Sequence, residues 1–275
     1  MFYLKTLGEL SLHASGPKGP PLLRNSKPLA VLAYLATAPN FSARRDHLAQ
    51  LLWPESDAGH ARSSLRQALH YISQRVGQPL VQTTDWTIEL DAAELDVDLW
   101  EFERALKAED YAHAVELYAG PFVPGLERKS GAEFEGWIES QDEQLRAGLD
   151  VAYTRLVGDA MARDWPSTAV EYGRLFVELN PLNEVAQLAY VRALKAAGDQ
   201  IGALRAYRSY RSLLREALHD VPSEELERAI LSVRDEVLRD AMPDPDAAPV
   251  SVPRRSVWRR AAMSGLAGAA VAAVV

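Results

Sequence analysis

The sequence predicts a mainly α-helical protein with a small β component, a winged helix-turn-helix followed by a tetratricopeptide-like helical repeat domain. Three observations predict it. Residues 57–76 carry Leu65, Leu69, Ile72 and Val76 on one stripe at helical spacing, with Ser63, Arg66, Gln67, His70, Tyr71 and Gln74 on the other faces. Gly77 and Pro79 then stop that helix, and residues 80–90 alternate around a polar turn as a β-hairpin does. Further along, Asp164-Trp165 leading into Ala169 is echoed about 34 residues later by Gly198-Asp199 leading into Ala203, and each unit closes on a proline (Pro181, Pro222).

The other elements follow in chain order. Residues 2–13 are apolar and alternate in places, so they read as β, and they lack the basic, apolar and small-residue regions of a signal peptide. Gly16 to Pro21 forces a turn, from which residues 22–24 return as a strand. Ser26 stands where an N-cap belongs, Pro28 lies in the first turn, and residues 29–36 are apolar nearly all round, as in a buried helix. Ser42 or a near neighbour opens the next helix, residues 44–53, which Pro54 ends. Asp91 to Asp98 reads as an acidic connector whose last carboxylate caps the helix that follows. Helices over 100–106 and 111–118 form a pair broken by Gly120–Gly125, and a long helix runs from about Glu133 to Arg163. Helical hairpins of this kind bury their apolar faces only by stacking.

These elements divide the chain into residues 1–95, a DNA-binding winged helix; 96–240, a helical domain; 241–260, a linker with a basic flank; and 261–275. Residues 242–253 are rich in proline and extended in character. Arg254, Arg255, Arg259 and Arg260 then precede fifteen uncharged, mostly apolar residues, which as a helix span about 22 Å. One reading is an Ala-rich tail; the sharper one is the start of a transmembrane helix, with the arginines on the cytoplasmic side. On that second reading the natural chain continues past Val275, and the preceding domains are cytoplasmic and tethered to the inner membrane.

Composition narrows the function classes. The 275 residues contain no cysteine, which excludes disulfides, a thiol nucleophile and Cys-based metal sites. The net charge of −8 is unevenly spread: residues 1–90 hold 9 Lys/Arg against 6 Asp/Glu (+3), residues 91–250 hold 17 against 32 (−15), and the last 25 hold four Arg and no acid (+4). Phosphate attraction acts over about 8–10 Å, so the local excess counts for more than the total. A modest +3 points to weak DNA binding by one copy and to a dimer or partner. The acidic run Asp91, Glu94, Asp96, Asp98 lacks the Gly and Glu spacing of a calcium loop, and no zinc, phosphate-loop, nucleophile-elbow or dinucleotide motif occurs. No enzyme activity, cofactor or metal is expected.

The donors and acceptors on the outer face of residues 57–76 suit base edges in a DNA major groove. The candidate DNA-binding residues are Arg62, Ser63, Arg66, Gln67 and His70 on that helix, Arg44 and Arg45 at the start of the preceding one, and Thr83 and Thr84 in the wing. Arg44 and Arg45 oppose a helix macrodipole there, a placement that a nearby phosphate would explain. Trp100, Phe102, Phe134 and Trp137 read as core aromatics. A different class of function is an interaction scaffold whose winged helix binds protein and no longer DNA.

Several stretches carry a family resemblance. Leu7-Gly-Glu-Leu-Ser-Leu12, Arg44 to Pro54 and Ala61 to Leu69 resemble the winged-helix effector domain of response-regulator type. Asp96-Val-Asp-Leu-Trp-Glu-Phe102, Leu117 to Leu126, Phe134-Glu-Gly-Trp-Ile138 and Leu179-Asn-Pro-Leu-Asn183 resemble the bacterial transcriptional activator domain that follows it in antibiotic-regulatory, SARP-type activators. The resemblance implies binding to double-stranded promoter DNA, homodimers or adjacent protomers on repeated sites, and recruitment of RNA polymerase. Two departures stand out: the recognition helix continues as His70-Tyr-Ile-Ser-Gln-Arg75 where the family usually has further arginines, and Thr83-Thr-Asp85 puts no base at the wing tip.

Overall fold

Apolar alternation in the first residues, which read as β, gives two short strands. In the computed structural model, which describes residues 1–126 and 131–241, β1 (Phe2–Lys5) and β2 (Ser11–His13) pair antiparallel, and β3 (Pro21–Arg24) returns along β2. Gly8 makes the reversal between β1 and β2 at φ +79, and a Cβ there would lie 2.6 Å from the carbonyl oxygen of Ala119. Only glycine fits.

Helix α1 (Lys27–Thr37) is buried from Leu29 to Leu35 except at Tyr34, as its uniform apolarity requires. Ser26 occupies its N-cap position but makes no side-chain cap: its Oγ is buried without a partner, and the Ser26 carbonyl instead accepts from Leu29 and Ala30 N–H. The N-cap of the next helix falls to the near neighbour Arg44 and not to Ser42. Ser42 starts a strand, β4 (Ser42–Arg44), and α2 begins only at Arg45 (Arg45–Leu52). Helix α3 (Ala58–Val76) and the strands β5 (Val81–Thr83) and β6 (Thr87–Leu90) complete the first half, and the second sheet runs β4-β6-β5.

The acidic connector contains a strand. Leu95 and Val97, both buried, belong to β7 (Leu95–Val97), which pairs parallel with β1 and completes a sheet of order β3-β2-β1-β7. Two apolar residues among carboxylates are too short a signal to show periodicity. Asp98 does not cap from outside the next helix; it is the first residue of α4 (Asp98–Lys107), with its carboxylate turned inward. It accepts from Thr6 N (2.8 and 2.9 Å), Thr6 Oγ1 (2.6 Å), Leu7 N (3.0 Å) and Leu99 N (2.8 Å). Burial pushes this carboxyl up from its ordinary range, and the four donors pull against that shift.

Helices α5 (Tyr111–Leu117), α6 (Ala132–Ala162), α7 (Pro166–Leu179), α8 (Glu184–Ala196), α9 (Gln200–Leu218) and α10 (Glu224–Ala241) form the helical half. The repeat has a third copy that the sequence reading does not contain. At the α4–α5, α6–α7 and α8–α9 turns a left-handed residue (Glu109, Asp164, Gly198) is followed by an N–H that reaches back to Ala105, Ala160 or Leu194. Four residues later a fully buried alanine, Ala114, Ala169 or Ala203, packs in each second helix. Such close helix contacts leave no room for a longer side chain.

The two halves share one core. A single cluster of buried residues runs from Leu4 through Leu32, Leu65 and Phe102 to Leu149. Trp137 of α6 packs against Tyr34, Phe122 and Phe134 (ring centroids 5.1–5.2 Å apart) and donates to Thr37 Oγ1 at 3.1 Å. Trp100 of α4 donates to the Ala36 carbonyl at 2.9 Å. Phe102 and Phe134 are buried, and Trp100 and Trp137 half-buried, in keeping with core aromatics. From the helical side, the loop after α5 docks on β1 through Val123 N to Thr6 O (2.7 Å) and through an isolated bridge between Phe122 and Leu7.

Two substitutions test this packing. Asp98→Asn presents an amide N–H₂ to converging donors and should lower the unfolding free energy by about 1–3 kcal/mol in chemical denaturation. Ala203→Asp places an unpaired carboxylate in the α8–α9–α10 core and should cost about 3–5 kcal/mol, read as a lower melting temperature with loss of helical signal. An unchanged melting temperature would mean that Ala203 does not hold the packed position of the repeat.

Candidate nucleic-acid interface

The outer face of α3 is built by what its inner face buries. Ala61, Leu65, Ala68 and Ile72 are buried, and Leu69 and Val76 are half-buried, so the opposite residues are driven to the surface. Asp57 caps the helix, accepting from Gly59 N (2.9 Å) and His60 N (3.0 Å), and Gly77 ends it in the left-handed conformation. Arg62, Arg66, Gln67, His70, Tyr71, Gln74 and Arg75 are exposed, and Ser63 is half-buried.

These residues differ in their freedom. Arg66 and Gln67 have no hydrogen-bond or ion-pair partner among the described residues. His70 Nε2 accepts from the Gln74 amide at 2.9 Å, and Arg75 lies over the Tyr71 ring at 5.3 Å. Arg62 is held by Asp46 of α2, with its Nε and Nη2 on the two carboxylate oxygens at 2.7 and 3.1 Å. That pairing holds the Asp46 carboxyl below its usual range, helped by the charges of Arg62, Arg44 and Arg45.

The start of α2 is a junction between α3 and the wing. Arg45 N donates to Trp86 O at 2.9 Å, and its guanidinium donates to Thr84 O at 3.0 Å. The next residue, Asp46, holds Arg62. Arg44, exposed at the end of β4, pairs in register with Thr87 of the wing. Thr84 organises the wing turn: its Oγ1 accepts from Thr87 N at 2.9 Å and from Trp86 N at 3.2 Å, and lies 2.8 Å from Thr87 Oγ1. Thr83 is exposed at the end of β5.

The sequence reading missed Trp86. It stands in the wing turn at 76% exposure, the most exposed of the large apolar side chains among the described residues. The available signal was a tryptophan inside an otherwise polar hairpin turn, where no core can be reached. The wing tip has no basic residue of its own, but Arg45 brings a guanidinium to its backbone.

The bacterial transcriptional activator domain matches residues 97–234, half of the chain. The chain belongs to this family. The match places it among transcriptional regulators of the SARP type. Among solved structures it is similar to Mycobacterium tuberculosis EmbR in complex with a low-affinity phosphopeptide, with a TM-score of 0.65 and 20% identity. That match covers 88% of this chain and 66% of the EmbR chain, just under two thirds of its length. At this identity the likeness shows the fold alone. No curated protein matches the chain.

Among the described residues no group of His, Asp and Glu has a metal-binding arrangement, and no helix is long and apolar enough to cross a membrane. Arg254, Arg255, Arg259, Arg260, the linker and the apolar run of the candidate anchor lie outside the described residues.

Breaking the Arg62–Asp46 pair has a readable consequence. Because the folded carboxyl titrates low, Asp46 contributes stability above its ordinary range that is lost as the pH falls through the depressed value. In Arg62→Ala the Asp46 titration, followed by NMR, should move back up, and that part of the acid sensitivity should disappear.

Proposed function

We propose that the protein regulates transcription by binding double-stranded promoter DNA through residues 1–95, with α3 in the major groove and the β5–β6 wing on the adjacent backbone. One observation carries this reading. Arg45 and Asp46, consecutive in α2, tie the wing turn and the flank of α3 to the same point, while Arg66 and Gln67 on the outer face are left without internal partners. Such an arrangement fixes the position of a reading helix relative to a backbone clamp, and positioning is the part of recognition that carries no sequence information.

The roles follow from the placement of each residue. Arg66 and Gln67 read base edges, each able to make two hydrogen bonds to one base. Ser63 and His70 flank them. Arg44 and Arg45 meet phosphate, Thr83 and Thr84 line the wing, and Trp86 lays its ring against the sugar-phosphate backbone. Arg62, already paired, acts chiefly by setting the α2–α3 geometry. The thin positive excess of residues 1–90 calls for two copies on adjacent sites, with residues 96–240 supplying contacts to the second copy and to RNA polymerase. The domains work in the cytoplasm, tethered to the inner membrane if residues 261–275 start an anchor.

The test is binding of the full chain to promoter duplexes over a range of salt. Each phosphate contact should add about −0.9 to the slope of log K against log salt. Arg66→Ala should relax preference at one base position by about 1–3 kcal/mol. Replacing Arg44 and Arg45 should weaken all sequences alike, and Trp86→Ala should lower affinity without changing base preference. Binding that stays flat with salt overturns the reading and favours the scaffold, which the already engaged Arg62 and Arg45 also suit.

A further inference from the structure

The seam between the halves holds a cleft of about 680 Å³, within the usual range for small-molecule sites. Phe41, at the end of α1's following turn, and Trp100 of α4 form one wall, with ring centroids 4.9 Å apart. Trp100 is fixed by its hydrogen bond to the Ala36 carbonyl. Arg104 and Lys107, one turn apart on α4, and Gln141 and Gln144 of α6 supply the polar lining. None of these four side chains has a hydrogen-bond or ion-pair partner among the described residues.

The backbone adds an independent observation. Asn40 and Phe41 both hold left-handed conformations, φ 53 and 55, which a bulky aromatic adopts only under constraint. Phe41 is nevertheless 37% exposed, so the strain presents a ring to the cleft and does not bury it in the core. Strain of this kind is concentrated at binding and switch sites.

We propose that this cleft binds a small aromatic anion, and that its occupancy is transmitted to the wing through β4. The rings of Phe41 and Trp100 offer stacking faces, Arg104 and Lys107 neutralise the acid group, and the glutamine amides orient it. Glu103, also on the lining, selects for a ligand that carries an N–H or O–H donor beside its acid. Arg104 and Lys107 also suit the helix dipole, being in α4's last turn, but the dipole does not account for two open aromatic faces beside them. Transmission needs no long path. Phe41 is followed directly by β4, whose Ser42, Ala43 and Arg44 pair with Glu89, Ile88 and Thr87 of the wing. The consequence for DNA rests on the function proposed above; the site itself does not.

The full chain is titrated with 8-anilinonaphthalene-1-sulfonate, an aromatic anion whose fluorescence reports binding, and with N-phenyl-1-naphthylamine, the same aromatic body without the acid. One saturable sulfonate site is expected. Arg104→Ala with Lys107→Ala, both exposed positions, should weaken the sulfonate at least tenfold while leaving the melting temperature and the neutral compound's affinity unchanged. Bound sulfonate should also slow amide exchange at residues 42–44 and 87–89. No saturable binding, or equal sulfonate affinity in the double variant, overturns the site. Binding without slower exchange in β4 and β6 overturns the transmission. Neither readout involves DNA, so failure of the proposed DNA interface leaves both results interpretable.

Discussion

A carboxylate removed from water must find its partners inside the protein, and Asp98 finds them at the point where the two halves of the chain meet. Its four donors come from Thr6, Leu7 and Leu99, so the end of β1 and the start of α4 are held by the same two oxygens. The parallel pairing of β1 with β7 leads into this clasp, and the loop carrying Phe122 and Val123 closes over it from the helical side. An apolar residue at position 98 would leave three backbone N–H groups unsatisfied, whereas a charge without these donors would be untenable. The position of everything downstream depends on this local solution.

Around the clasp, Trp100 and Trp137 fasten the end of α1 to the helical half by two indole hydrogen bonds and a group of tilted rings. Because α1 packs against α3, the outer face of α3 is positioned by the helical half as well as by its own three-helix unit. The side of the molecule that carries α3 is thus not a mobile head on a stem. The Arg45–Asp46 junction then sets the wing relative to α3 over a few ångströms.

Much of this was legible in the sequence. The long amphipathic stripe of α3, its glycine stop and the alternating hairpin were each strong local signals, and the repeat centred on Ala169 and Ala203 was visible as a period. The third copy was hidden because the long α6 and the loop before it separate Glu109 from Asp164 by more than one period. Strand β7 was hidden because two apolar residues flanked by acids show no periodicity. Ser26 holds the expected N-cap position without a side-chain bond, and Ser42 opens a strand, because composition fits a cap while tertiary packing decides which donor is reached. Of the candidate DNA residues most lie exposed, while Arg45 and Ser63 are half-buried. Their inequality, with Arg62 tied to Asp46, Arg45 tied to the wing and Arg66 left open, arises from contacts between elements that one-dimensional spacing does not contain.

Gly8 shows what the shared core means for any exchange of parts. The turn at Gly8 sits against the backbone of Ala119, more than a hundred residues away, with no space for a Cβ between them. A recombination event that exchanged only the first 95 residues would bring a new partner to Ala119, to Phe122 and to Asp98 at once. Most such chimaeras would have mismatched seams, even with two well-formed halves. An exchange that preserves the fold must therefore carry the first half and the first helical hairpin together.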